Sequence, residues 1–314
     1  MEDPIKSLPP TEPFEKLRKE KLQFYLFGEH LSGSKAPILH NSIYKALGLS
    51  WNYSIYETRD KNVFNEMLNS SSCIGCAVTM PNKIEFAKEV DILDKVGQGV
   101  GSINTVYTRK DKDGKNIKIG TNTDTIGIYQ AFMQNEEAKK IVENYKGKPG
   151  LVYGGGGACR SAVYALHELI GCSRIYVINR DHNEVDELKR SVERSGLRAE
   201  IVHVETPEFA SMLERPELAV LTVPDFPPVT KQEKLAKATL DILMRSKRGA
   251  VLEMCYHPRI YTRLYREFEE NGWNVIDGSQ AMIYQGLEQI MLWSGHTLEE
   301  LPVELAKEEI KSNI

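Results

Sequence analysis

The sequence predicts an α/β protein of two domains, each built on a mostly parallel sheet covered by helices. Apolar runs of strand length alternate with stretches of helical pattern through most of the 314 residues, which is typical of repeated strand and helix units. This alternation starts again after residue 149. A chain of this length is long for one domain but can bury two cores.

In the first half, strand and helix alternate three times. We predict strands in LQFYLFG, NYSIYET and CIGCAVTM, and helices in APILHNSIYKALG, KNVFNEMLN and NKIEFAKEVDIL. In the less regular stretch that follows, KDKDGK is typical of the polar tip of a hairpin. The first twenty residues are largely polar, and we expect a mobile arm there.

The second half predicts a doubly wound, Rossmann-type sheet. Its strands are GLVYGG, RIYVINR, AEIVHV, LAVLTVP, AVLEMCY and NVID, with helical patterns between most of them. The last apolar helix, SQAMIYQGLEQIMLWSG, has no strand after it and can pack back on the first domain. We therefore predict domains at residues 1–125, completed by 279–314, and at 126–278, with the active cleft between them.

Composition excludes several classes of protein. The formal charge is −4 without a block of like charge, so we expect neither nucleic acid nor a membrane as partner. No signal peptide or membrane span is visible, and five cysteines are an odd set for disulfides, so we expect free thiols in the cytoplasm. Cys73 and Cys76 form the only CxxC pair. We expect buried thiols there rather than zinc, and no metal site.

A run of four glycines predicts a nucleotide site. Gly154, Gly155, Gly156 and Gly157, followed by Ala158, lie between an apolar strand and a helix. Such a turn lets the backbone approach a pyrophosphate, whose charge meets the free amides of the helix N-terminus. The residues that follow depart from the strict G-x-G-x-x-G pattern, and a tight strand-to-helix turn is the alternative interpretation.

The end of the next strand favours NAD over NADP. Asn179, Arg180 and Asp181 stand where the adenosine ribose of a dinucleotide would lie, with Glu184 nearby. A carboxylate suits the ribose diol, whereas a 2′-phosphate needs cations. Arg180 could stack on adenine or meet a phosphate, but both acidic residues would repel one. Alternatively, these charges are merely solvated at a strand end.

Several short motifs, in order, resemble those of the shikimate/quinate dehydrogenase family from about residue 23 to about residue 296. They are GSKAPILHN, AVTMPNK, GSINTV, GTNTDTIG, GGGGACRSA, CYHP and AMIYQG. The resemblance implies an α/β catalytic domain followed by a Rossmann domain, and reversible oxidation of a ring hydroxyl with a nicotinamide cofactor.

Carried over residue by residue, the resemblance makes Lys83 and Asp124 the catalytic acid–base pair. By themselves, Lys83 would be a solvated lysine and Asp124 as readily a helix N-cap. The resemblance also implies two sets of binding residues. The substrate contacts are Ser34, Thr79, Asn104, Tyr256 and Gln285, and the cofactor contacts are the glycine loop through Ala158, Asn179, Arg180, Asp181, Val223 and Gly278.

Two positions depart from the bacterial shikimate pattern. Ala36 and Ala77 stand where serine and asparagine are usual, and each removes a polar partner of the substrate. Together with NRD at residues 179–181, these forms look most like the NAD-using quinate dehydrogenases of fungi. We expect quinate, or secondarily shikimate, as the small-molecule hydroxy-acid substrate of a monomer or homodimer. The alternatives are another hydroxy acid, or a nucleotide-sensing regulatory protein without turnover.

Overall fold

The chain forms two compact units, each containing one six-stranded sheet within the described residues. The computed structural model describes residue 5 and residues 8–245 and 248–314. The first unit comprises the chain up to Thr123 together with Gln285–Asn313. The second comprises Asp124–Tyr284 and the final residue. The predicted α/β class is confirmed in both units.

The sheet of the first unit is mixed. Its strand order is β2-β1-β3-β5-β6-β4, and β5 runs antiparallel to β3 and β6 while the other pairs are parallel. The hairpin predicted around KDKDGK is confirmed as β5 and β6. The strands are β1 (Gln23–Gly28), β2 (Asn52–Glu57), β3 (Gly75–Val78), β4 (Ile92–Leu93), β5 (Thr105–Lys110) and β6 (Asn116–Thr121).

Two of the three helices predicted in the first unit are confirmed, those in APILHNSIYKALG and KNVFNEMLN. The helix predicted in NKIEFAKEVDIL is wrong, because this segment forms a turn, a 3₁₀ turn at Phe86–Lys88 and strand β4. The Lys83 carbonyl accepts the N–H of Ile103 at 3.0 Å, a partner from a distant segment that replaces a helical bond. The observed helices are α1 (Phe14–Leu17), α2 (Ala36–Ala46), α3 (Lys61–Leu68) and α4 (Lys95–Val100).

The N-terminal arm packs against the first unit. Leu17 is buried, and its carbonyl accepts the indole N–H of Trp51 at 3.2 Å. The guanidinium of Arg109 lies over the ring of Phe14, 5.6 Å from its centroid. The expectation of a mobile arm is therefore wrong for residues 8–20. Of the first seven residues only Ile5 is described.

The second unit contains a fully parallel sheet of order β12-β11-β10-β7-β8-β9. Numbered within the unit, this is the 3-2-1-4-5-6 order of a Rossmann fold. Its central strands are buried on both faces, which is why they appear in the sequence as unbroken apolar runs. The strands are β7 (Gly150–Tyr153), β8 (Arg174–Ile178), β9 (Glu200–His203), β10 (Leu218–Leu221), β11 (Ala250–Glu253) and β12 (Asn274–Asp277).

Side-chain caps fix where several helices of this unit begin. Asp181, Thr206, Thr230 and Thr262 each accept a backbone N–H from the first turn of the helix that follows. The helices are α5 (Asp124–Met133), α6 (Glu136–Val142), α7 (Gly157–Tyr164, continued as a π turn at Ala165–Leu169), α8 (His182–Ser195), α9 (Pro207–Met212), α10 (Lys231–Met244) and α11 (Arg263–Glu270).

Two further helices complete the chain, α12 (Gly278–Ser294) and α13 (Val303–Ser312). The second half of α12 belongs to the core of the first unit, where Trp293 stacks on Phe24 at 4.5 Å and donates to the carbonyl of Val106 at 3.0 Å. α13 packs against α2. Among the described residues, no helix is both long and apolar enough to cross a membrane.

Candidate substrate and nucleotide sites

A hydrogen-bonded turn after β3 carries Thr79 and Lys83. The buried Asn82 donates its side-chain amide to the carbonyl of Thr58 at 2.7 Å, and its N–H to the carbonyl of Thr79 at 2.9 Å. The bond from Ile103 to the Lys83 carbonyl holds the other side of the turn. The backbone of Lys83 is thus fixed by contacts with other segments, and its side chain is half-buried.

Asn104 and Gln285, which are 181 residues apart, meet in a buried polar network. The amide of Asn104 donates to Gln285 Oε1 at 3.3 Å and to Thr123 Oγ1 at 3.0 Å. Its oxygen accepts the N–H of Thr123 at 2.7 Å and the hydroxyl of Thr105 at 2.8 Å. Gln289 donates to the same Thr105 hydroxyl at 2.8 Å. Amide and hydroxyl groups in one buried cluster can orient the hydroxyls of a small polar ligand.

Ser34 lies two residues before the first residue of α2. Its hydroxyl accepts the N–H of Ala36 at 3.3 Å. One turn later, His40 is fully buried, stacks on Tyr53 at 4.0 Å and bonds the Ala36 carbonyl through Nδ1 at 2.9 Å. Burial lowers the pKa of His40 to about 4, so the ring is neutral. Ala77 is buried in β3 opposite Thr105.

Asp124 and Tyr256 belong to the second unit. Asp124 is the first residue of α5, and Tyr256 lies in the loop after β11. Burial raises the pKa of Tyr256, and the Asp124 carboxylate raises it further. Just before this loop, Glu253 is buried and accepts the N–H of Cys255 at 2.9 Å. Burial raises the pKa of Glu253 to about 8, so its carboxyl group is largely protonated at neutral pH.

The glycine loop joins β7 to α7. Gly154 has φ +121°, and a Cβ there would meet Thr222 Oγ1 at 2.4 Å. A Cβ at Gly155 would meet the Asn179 amide at 2.4 Å. Beside Gly156, the residue that precedes α7, there is open space within 4 Å. This open, side-chain-free backbone before a helix fits the pyrophosphate of a dinucleotide.

A cavity of about 250 Å³ opens beside this loop. Among the residues expected to contact the cofactor, Gly154–Gly156, Asn179, Arg180 and Val223 line it. Gly157 and Ala158 form the first turn of α7, and Gly278 begins α12. Gly278 is packed against Met254, because a Cβ added at Gly278 would lie 2.3 Å from the Met254 carbonyl oxygen.

Among the described residues, two acidic ones line the cavity, Glu184 from α8 and Glu233 from α10. Glu184 accepts the Asn179 amide at 2.7 Å. Asp181 instead caps α8, accepting the N–H of Asn183 at 2.9 Å. Arg180 pairs with Glu233, so its guanidinium already faces a carboxylate.

Sequence reasoning missed several residues of both sites. Thr123 joins the substrate network, and its place directly before Asp124 in GTNTD was the available signal. Glu233 and Phe226 line the nucleotide cavity from segments some fifty residues beyond Asn179. Phe226 lies in VPDFPPV, an apolar and proline-rich loop whose exposure gives no signal of a ligand by itself.

Strand order and glycine loop define a two-domain α/β protein with a Rossmann-type unit, and comparison with known proteins identifies its family. Residues 26–106 match the model of the shikimate dehydrogenase substrate binding domain. The chain is 36% identical to the quinate dehydrogenase of Emericella nidulans over 295 residues, which are 88% of this chain and 89% of that one. It therefore belongs to the shikimate/quinate dehydrogenase family of oxidoreductases, and the predicted resemblance is confirmed.

Solved structures show the same fold. The dehydroquinate dehydratase and shikimate dehydrogenase from S. pombe AroM has a TM-score of 0.75 at 28% identity, covering 92% of this chain and 53% of that one. The quinate dehydrogenase from Corynebacterium glutamicum in complex with NAD has a TM-score of 0.75 at 22% identity, covering 93% and 99%. The chain spans only 17 or 18% of the pentafunctional AROM polypeptides that it also matches.

Proposed function

We propose that this protein oxidises a ring hydroxyl of quinate, and secondarily of shikimate, to the 3-dehydro ketone with NAD. The observation that carries the proposal is the partly buried hydrogen bond between Asn104 and Gln285, two expected substrate contacts from the two chain segments of the first unit. Their amides, with the Thr123 hydroxyl, offer donors and acceptors for a polyhydroxylated ring. The sequence identity of 36% with the quinate dehydrogenase of Emericella nidulans, over 88% of this chain, supports the same substrate class.

In this mechanism Lys83 is the general base. As the C–H hydride leaves the substrate carbon, the hydroxyl proton passes to the Lys83 amine, and in the reverse direction the ammonium returns it. Asp124, the other expected acid–base residue, is assigned the role of holding the substrate hydroxyl. NAD, when bound, supplies the hydride acceptor. The first unit would thus hold the substrate and the second the dinucleotide, in keeping with the substrate-domain match at residues 26–106.

The charges around the nucleotide cavity support NAD. Glu184 and Glu233 line it, and Arg180 is paired with Glu233. A 2′-phosphate brought here would meet two carboxylates and a guanidinium that already has an anionic partner. The quinate dehydrogenase from C. glutamicum, which shares this fold, was solved with NAD.

A second candidate is the same chemistry on a different hydroxy acid. The observation in its favour is that Ala36 and Ala77 carry no polar group at two positions where the family's shikimate pattern has one. Loss of a hydrogen bond to a charged group weakens binding by about 1.5–3 kcal/mol.

Initial rates with quinate and shikimate, each with NAD and NADP, test the proposal. We expect the highest kcat/KM for quinate with NAD. If other hydroxy acids are oxidised but these two are not, the second candidate is correct. If NAD binds and no hydroxy acid is oxidised, the protein is a nucleotide-sensing protein and the proposal is wrong.

A further inference from the structure

Three side chains with metal-ligating atoms converge where β9 ends and α8 begins. Glu205 Oε1 lies 2.6 Å from His182 Nδ1 and 3.1 Å from His203 Nδ1. One potential ligand atom from each of the three side chains lies within 4.8 Å of the other two. This cluster is outside the residues expected to contact substrate or cofactor, and the sequence spacing gave no sign of it.

His203 is the unusual member. Its side chain is only 7% exposed, and within the described residues neither ring nitrogen makes a hydrogen bond of good geometry, although Nδ1 lies 3.1 Å from Glu205 Oε1. A buried polar group without a hydrogen bond costs free energy of folding.

We propose that His182, His203 and Glu205 bind one divalent transition-metal ion, with Zn²⁺ the best match. Two imidazoles and one carboxylate are a common protein ligand set for zinc, at metal–ligand distances of about 2.0–2.2 Å. In a tetrahedral site the ligand atoms are about 3.3–3.6 Å apart, so the contacts of Glu205 at 2.6 and 3.1 Å must open by up to about 1 Å, while the three ligand atoms already lie within 4.8 Å of one another. His182 and Glu205, which are 61% and 52% exposed, can make that adjustment by side-chain rotation.

A neighbouring carboxylate supports the assignment. Asp186 Oδ2 lies 3.1 Å from His182 Nε2, the ring nitrogen that does not face Glu205. Histidine ligands commonly donate their second N–H to a carboxylate, which fixes the tautomer and makes the ring a stronger ligand. An ion bound here would join the start of α8 to the end of β9 and satisfy a nitrogen of His203.

Calorimetric titration of the tag-free, chelator-treated chain with Zn²⁺ tests the site. We expect one ion per chain with a Kd in the micromolar range or below, and at least tenfold weaker binding in both His182→Ala and Glu205→Gln. Both substituted side chains are exposed, so these variants should fold, which circular dichroism checks. His30→Asn, which removes an exposed histidine of the first unit, is the matched control and should bind as the wild type does.

Co²⁺ distinguishes this cluster from the five free cysteines. Nitrogen and oxygen ligands should give visible d–d bands without the near-ultraviolet charge-transfer band of a thiolate. The proposal is overturned if no ion binds stoichiometrically, if both variants keep wild-type affinity, or if the thiolate band appears. In the first case the three residues are a surface ion-pair cluster only.

Discussion

Arg180 and Glu233, 53 residues apart in sequence, form an ion pair at the nucleotide cavity of the second unit. Glu233 also completes the capping box of α10 and accepts the N–H groups of Thr230 and Val229. These backbone bonds, first that from Thr230, lower the pKa of Glu233 to about 2. The carboxylate is therefore charged throughout the working pH range and keeps Arg180 paired.

Glu233→Gln should shift cofactor use towards NADP. Glutamine at this position of a capping box preserves the helix cap, while the loss of charge releases Arg180 for a 2′-phosphate. We expect KM for NADP to fall about three- to tenfold, with kcat/KM for NAD changed less than twofold. Glu187→Gln on α8, outside the cavity lining, is the control. An unchanged NAD/NADP ratio would show that this ion pair does not select the cofactor.

Lys83→Ala should lower kcat about 10²–10⁴-fold, the usual contribution of a positioned acid–base group. NAD affinity should change little, because the expected cofactor contacts lie in the second unit and Lys83 in the first. Lys88→Ala, which removes an exposed lysine paired with Glu85, should keep wild-type activity. Steady-state kinetics and NAD titration measure both effects. Wild-type kcat in Lys83→Ala would mean that the lysine is not the base.

Ala36→Ser should favour shikimate relative to quinate. It adds a hydroxyl two residues after Ser34, at the position where the family's shikimate pattern has serine. A new hydrogen bond of about 1 kcal/mol corresponds to about a fivefold change in the ratio of the two kcat/KM values. Ala46→Ser, at the exposed end of the same helix, is the control. If the ratio stays constant or moves towards quinate, the expectation that residue 36 contacts the substrate is wrong.

Glu253→Gln should stabilise the protein at high pH. The pKa of Glu253 is about 8 in the folded state against 4.5 for the free side chain. Between pH 4.5 and pH 8 the folded state therefore keeps a proton on this carboxyl group that the unfolded state has lost. The contribution of this proton to the free energy of unfolding is therefore fully present below pH 4.5 and is lost as pH rises through 8. Glutamine resembles the neutral carboxyl group and keeps the acceptor for Cys255.

At pH 9 we expect the Glu253→Gln variant to have a free energy of unfolding higher than wild type by about 2–5 kcal/mol, and at pH 4 a difference near zero. Urea unfolding at the two pH values measures this, with the exposed Glu270→Gln as control. An equal difference at both pH values would mean that the substitution acts through packing and not through the proton.

Much of the second unit was predictable from sequence. Its central strands are apolar throughout because both faces of a parallel sheet are covered. The glycine loop was visible because a positive φ at Gly154 and close contacts at Gly155 exclude side chains. The contacts that require glycine come from distant residues, but the apolar strands and the glycine run are each short contiguous stretches, so both signals can be recognised in the sequence without the fold.

Other features were decided only by tertiary structure. The sequence around Lys83 predicts a helix, but the carbonyl of Lys83 accepts the N–H of Ile103 instead of a helical hydrogen bond. Asn104 meets Gln285 across 181 residues, and Arg180 meets Glu233 across 53. The two residues of each pair come from different elements, so their spacing along the chain does not predict that they meet. Sequence fixes which groups are available locally, whereas hydrogen bonds and ion pairs between distant segments exist only once the sheets have brought those segments together.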